Sequence, residues 1–210
     1  MSDQLSMFDD EPPGGFAAPK RQVAARPVRP PGHTIFFALR PPAEAANAIA
    51  AWGRRIAREL GVGGVPLEAD RLHVSLFAIA GYDETFPEDQ VAAALHAASL
   101  VRHEAFDVAF DRVANFAEAN NALVLKWRAA ADAALELLRF RQALGIELAD
   151  GGFHLTDRKM TPHMTLAYQG RDVTETVVEP IRWVARDLVL IDSHVGKHRH
   201  DVLGHWTLED

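Results

Sequence analysis

From residue 33 onward, apolar residues follow two patterns: short continuous runs, and stripes spaced three or four apart. The run HTIFFALR predicts a buried strand over 34–39. Pro41 and Pro42 then open a helix that reaches Leu60, with Gly61 as its stop. A strand over 71–80 follows, then a helix over about 87–101 that is amphipathic through Val91, Leu95 and Leu100. Strands over 105–116 and 122–127 read as a hairpin turning at Asn120 and Asn121. A helix over 129–144 should stop at Gly145, and the pattern returns to strands over 161–168, 183–192 and 201–208. Helices and strands are mixed and hairpin neighbours recur. The expected class is α+β with mainly antiparallel sheet.

Residues 1–31 show neither pattern. Six prolines and the pair Gly14-Gly15 break the chain, so this stretch is expected to be a disordered tail ahead of one domain over 32–210. Acidic residues (Asp3, Asp9, Asp10, Glu11) come first and basic ones (Lys20, Arg21, Arg26, Arg29) second, the latter reading as a solvated linker. Gln4-Leu5-Ser6-Met7-Phe8 places apolar anchors in a polar tail, as short docking peptides do. It resembles the pentapeptide by which bacterial proteins dock on the DNA polymerase sliding clamp, with Met7 in place of the usual Leu. That makes the clamp an expected partner through Gln4, Leu5, Met7 and Phe8.

Composition narrows the chemistry. Cysteine is absent from the 210 residues, which removes disulfides, thiolate nucleophiles and Cys-based zinc sites. A formal net charge of −7 argues against wrapping long duplex nucleic acid, while leaving room for a single phosphate or a strand end in a local pocket. No apolar run approaches the roughly 20 residues of a membrane span, and the acidic N-terminus lacks the features of a secretory signal. A cytoplasmic monomer is the expectation.

Two short stretches repeat one design: RLHVSLFAIA and TPHMTLAYQ. On a strand, alternate side chains share a face. His73 therefore lies with Ser75, and His163 with Thr165, while the leucines turn the other way. Cleaving a phosphodiester in line needs a base for the attacking oxygen and an acid for the leaving one, on opposite sides of phosphorus. Two histidines from two strands meet that need, because imidazole is available in either form near neutrality. The Ser75 and Thr165 hydroxyls are placed to hydrogen-bond non-bridging oxygens.

Over about residues 33–208 the chain resembles the 2H phosphoesterase superfamily, named for two His-x-Ser/Thr motifs, and within it the bacterial RNA 2',3'-cyclic phosphodiesterases, also called 2'-5' RNA ligases. The likeness rests on FFALRPP, both histidine motifs and the closing stretch DLVLIDSHVGKHRHDVLGHWTL. It implies a bilobal fold of two pseudo-symmetric lobes, with helices outside and a central cleft faced by both motifs. It also implies cofactor-free hydrolysis of an RNA 2',3'-cyclic phosphate to a 2'-phosphomonoester. His73 would give a proton to the leaving 3'-oxygen, His163 would take one from water, and Ser75 and Thr165 would contact the phosphate. ATP-independent 2'-5' ligation, the reverse of cleavage, would use the same pair.

There are three departures, the first of which keeps its hydroxyl and matters little. Ser75 stands where Thr is usual, the aromatic after the first motif is Phe77, and Tyr168 stands where RNA-acting members often carry Arg. Lys126, Arg128, Arg158 and Lys159 are candidates for the missing positive charge, and Lys126, Arg158 and Lys159 for substrate contacts. Two other functions compete. One is a non-enzymatic nucleotide- or RNA-end-binding module brought to the clamp by the tail. The other is a metal-dependent phosphatase built on His194, His198, His200 and His205; the spacing of these residues does not complete a ligand set, and no metal is expected.

Overall fold

The structure, a computed structural model, describes residues 30–116, 121–127, 132–155, 161–168 and 172–209. Residues Pro31–Asp210 form one compact unit. Within it the order is β1 (His33–Arg40), α1 (Ala43–Glu59), β2 (Val65–Pro66), a 3-10 turn (Ala69–Arg71), β3 (Val74–Tyr82) and α2 (Glu88–Leu100). The chain continues through β4 (Phe106–Phe116), β5 (Ala122–Lys126), α3 (Asp132–Asp150), β6 (His163–Tyr168), β7 (Thr176–Ala185), β8 (Asp187–His194) and β9 (Arg199–Thr207). None of the described helices is long and apolar enough to cross a membrane.

The strands form one antiparallel sheet in the order β7-β4-β5-β6-β3-β1-β8-β9, with β2 paired to β6. Four strands on each side meet where β3 lies against β6, and in that contact a single pair is in register, Val74 with Met164. The remainder of the β6 edge is taken by β2, with Val65 opposite Tyr168 and Pro66 opposite Ala167. Between Ala167 and Met164, β6 advances three residues while the facing chain uses eight, from Pro66 to Val74. The surplus is folded out as the 3-10 turn, so Arg71 comes off a turn rather than a strand.

One contiguous apolar core serves both halves, running from Ile35, Phe37 and Leu39 on β1 to Phe110 on β4 and Phe140, Leu144 and Leu148 on α3. α1 leaves β1 yet packs on β6. Its Gly53 eases the approach, because a Cβ there would lie 3.3 Å from Leu166 Cδ2 and the leucine would have to shift slightly. At the far end a single residue, Arg186, joins β7 in one half to β8 in the other, and the Leu208 amide donates to its carbonyl.

Three expectations are corrected. The run over 183–192 is two strands, not one, and β7 starts at Thr176. Most of β7 is an exposed edge, and Pro180 falls at its register shift against β4, where a missing N–H is tolerated; both features erase the strand pattern. α3 does not stop at Gly145 but runs to Asp150. Gly145 lies inside the helix because its Cβ position is 3.1 Å from the Phe77 ring. The end comes at Gly151 and Gly152, where Gly152 takes φ +89 and the Phe153 amide donates to the Leu148 carbonyl. Finally, the first-motif strand begins at Val74, after the turn, rather than at 71. The expected β4–β5 hairpin is present, with Asn121 at φ 51.

Candidate active site

The Val74–Met164 pair organises the site. Both side chains are fully buried and point into the core. Alternation then turns their neighbours His73, Ser75, His163 and Thr165 to the opposite face. Antiparallel register sets His73 beside Thr165 and Ser75 beside His163, so the two histidines are diagonal neighbours with backbones roughly 7–8 Å apart. The charge of His163 bears on His73, so the two imidazoles share one local environment. The structure thus brings all four motif residues together.

Each imidazole is anchored in the same way. His73 Nδ1 donates to the Arg71 carbonyl at 2.7 Å, and His163 Nδ1 donates to the Thr161 carbonyl at 2.9 Å, in each case two residues upstream. A carbonyl only accepts, so Nδ1 carries the proton and Nε2 is left as the working nitrogen. An aromatic ring steadies each one. Phe36 packs on His73 with centroids 5.1 Å apart, and Phe116 stacks on His163 at 4.5 Å and 18°.

Their electrostatic settings differ. Burial pushes His73 down to about 4; the Arg71 carbonyl raises it, and the charges of Arg40, Arg71 and His163 lower it further. His73 is therefore neutral at physiological pH. His200 lies edge-on to His73, 5.3 Å between centroids, and is pushed down to about 3, by burial first and then by Arg71, His73 and Arg40. Arg40 is also lowered by burial, with Asp70 opposing and Arg71 adding to the effect. Arg40 Nε, Arg71 Nε and Nη1, and His200 Nδ1 are buried without a hydrogen-bond partner in the protein.

The remaining expected residues divide. Lys126 pairs with His163 across β5 and β6 and faces the site, but its ammonium is held by Glu175, which Arg112 also approaches at 3.9 Å. Arg128, Arg158 and Lys159, and the tail residues Gln4, Leu5, Met7 and Phe8, lie outside the described residues. Of the C-terminal histidines, His205 bonds Asp187 and His194 bonds Asp201, while His200 joins the motif pair. Among the described residues, one group has metal-like donor spacing: His33, Asp192 and His194. It sits by Tyr82, at the end of β3 away from His73. Its groups are already engaged: His33 Nδ1 bonds Asp192, which also accepts from the Tyr82 hydroxyl at 2.6 Å, and His194 Nε2 bonds Asp201. Sequence reasoning missed Phe36, Phe116, Arg40, Arg71 and the place of His200. Arg71 alone had a local signal, two positions before the first motif histidine.

No curated protein matches the chain. Among solved structures, LigT of E. coli in complex with 3'-AMP is 22% identical, covers 85% of this chain and 99% of its own, and superposes with a TM-score of 0.64. A crystal structure described as a phosphoesterase gives 23%, 85%, 99% and 0.64. TT0787 of Thermus thermophilus gives 20%, 83%, 97% and 0.56. At these identities the likeness establishes the fold. LigT has also been solved with ATP, with NADP+ and with phosphate. The family model of the 2'-5' RNA ligase superfamily matches residues 41–197, a span that takes in both histidine motifs and most of the sheet. With that match, and with paired histidines facing one another across the β3–β6 seam, the chain belongs to the 2'-5' RNA ligase superfamily of 2H phosphoesterases.

Proposed function

We propose that the protein hydrolyses RNA 2',3'-cyclic phosphate ends to 2'-phosphomonoesters without a metal, using His73 and His163 as proton donor and acceptor. One observation carries this reading. The two imidazoles are fixed in the same tautomer by equivalent bonds to carbonyls two residues upstream, and they lie diagonally across one strand pair. In the reaction, His163 Nε2 takes a proton from water as its oxygen attacks phosphorus. The bond from phosphorus to the 3'-oxygen breaks, and His73 delivers a proton to that oxygen. The Ser75 and Thr165 hydroxyls hold the non-bridging oxygens.

The low pKa of His73 adds a condition. A neutral imidazole is no acid, so the substrate's own negative charge must raise His73 on binding. Protonation and phosphate binding are then linked, and the acid is armed only when the anion is in place. With a 5'-hydroxyl in place of water, the same transfers join ends through a 2'-5' linkage: its oxygen attacks phosphorus as His163 takes the proton, and the 3'-oxygen leaves with the proton from His73. The nucleotide and phosphate complexes of LigT support a nucleotide phosphate as ligand.

Purified protein incubated with EDTA and a short RNA ending in 2',3'-cyclic phosphate should yield the 2'-phosphate isomer. His73→Ala and His163→Ala should each lower the rate by on the order of 10²-fold or more. A 3'-phosphate product would reverse the assignment of leaving oxygen, and turnover abolished by EDTA would favour metal chemistry.

A further inference from the structure

Beside the motif histidines lies a second set of hydrogen-bond donors to which the reaction assigns no task. Arg71 comes off the 3-10 turn two residues before His73. Arg40 follows Leu39, whose partner Val74 follows His73, and the Arg40 charge bears on His73. On β9, His200 rests against the His73 and Phe36 rings. Four of their nitrogens are buried and find no acceptor in the protein. Buried N–H groups without an acceptor are costly, so these half-buried guanidiniums favour binding an anion. Two carboxylates bear on the group: Asp70 acts on Arg40, and Asp201 acts on His200. Asp201 is already engaged by Arg199 and His194. The floor beneath is apolar, made by Ala38, Val189 and Ile191 with Phe36, which strengthens any ion contact above it.

The set borders His73 itself, with Arg71 two residues before it and the His200 ring 5.3 Å from its own, and extends outward from there: Arg40 ends β1 and His200 begins β9, farther from the β6–β3 seam in the strand order β6-β3-β1-β8-β9. With strands about 4.8 Å apart, β1 lies roughly 7 Å from the seam, the span of one nucleotide between successive phosphates. We propose that Arg40, Arg71 and His200 form a second anion subsite that takes the phosphate on the 5' side of the terminal nucleotide. The enzyme then selects polynucleotide ends and 5'-phosphorylated nucleotides over plain nucleoside cyclic phosphates. This rests on the reading of the reacting centre given above.

Two measurements test it. The first compares kcat/KM for adenosine 2',3'-cyclic phosphate with that for its 5'-phosphorylated counterpart. The intact protein should prefer the second by about tenfold or more, the size of one charge-assisted contact, and Arg71→Gln or Arg40→Gln should bring the ratio close to one. A structural role for either arginine would lower both rates together and leave the ratio unchanged, and that result would overturn the proposal. So would a ratio near one in the unmutated protein, even if neither variant folds. The second measurement is calorimetric binding of adenosine 2'-phosphate and adenosine 2',5'-bisphosphate, which needs no turnover. Tighter binding of the bisphosphate, lost in Arg71→Gln, supports the subsite even if neither cyclic compound is cleaved, an outcome that would sink only the hydrolase reading. Equal affinities would remove the subsite.

Discussion

Acidification should destabilise this protein through His73. Burial first, then the charges of Arg40, Arg71 and His163, hold its imidazole at about 4 in the fold, against about 6.5 in an open chain. A depressed pKa means that the unfolded chain accepts a proton which the folded one refuses. The corresponding stability is complete above about pH 6.5 and is lost progressively as the pH falls toward 4. Between pH 7.5 and 5 the loss is at most about 2 kcal/mol, a ceiling because part of the ring still reaches solvent. Urea unfolding at those two pH values, in the unmutated protein and in His73→Gln, measures it. The glutamine cannot be protonated, yet its amide can still donate to the Arg71 carbonyl. The difference between the two pH values should be smaller in the variant by on the order of 1–2 kcal/mol. His200 titrates in both proteins in the same direction, so its share largely cancels. Inorganic phosphate should reduce the loss in the unmutated protein, because a bound anion stabilises the charged imidazole. Identical pH dependence in both proteins would refute the burial argument.

Other outcomes follow from single contacts. Phe116→Ala removes the ring stacked on His163 and should lower kcat/KM for a cyclic phosphate by roughly 2- to 10-fold, the worth of one aromatic pair, with a smaller effect on melting temperature. Gly145→Leu places a side chain against Phe77, where even a Cβ stands 3.1 Å from the ring. It should cost about 1–3 kcal/mol in denaturant unfolding, although glycine is ordinarily a poor helix residue. Gly152→Ala forces φ +89 on a residue with a Cβ and should lower stability by about 1 kcal/mol, read as a fall in melting temperature. Lys126→Met breaks the ion pair with Glu175 beside His163. If Lys126 touches substrate, KM for the cyclic phosphate should rise several-fold, and an unchanged KM would confine it to that pair.

The sequence is most legible where local pattern and tertiary environment agree. His73 and His163 stand out because each begins a short run whose alternation survives in the fold, with Val74 and Met164 inward and the histidines outward. β1, α1 and α2 match their expected spans within a few residues for the same reason. The misses arise where a distant contact overrides local preference. Gly145 looks like a helix stop until Phe77, from a strand on the other side of the seam, is seen to need the space. β7 is hidden by exposure and by Pro180, and the break at Arg186 by a single-residue join that leaves no turn signal. The arginines are hardest. Arg40 and Arg71 resemble ordinary surface charges in one dimension, and only the juxtaposition of β1, the 3-10 turn and β9 shows their N–H groups buried and unanswered.

The lone rung between Val74 and Met164 acts as a caliper on the reaction. The gap between donor and acceptor is set by main-chain spacing, so replacing residues around the mouth leaves it untouched. Changes at Lys126 therefore alter the charge beside His163 without altering the spacing of the two histidine backbones. Disturbance of the rung itself would unset both halves of the chemistry together.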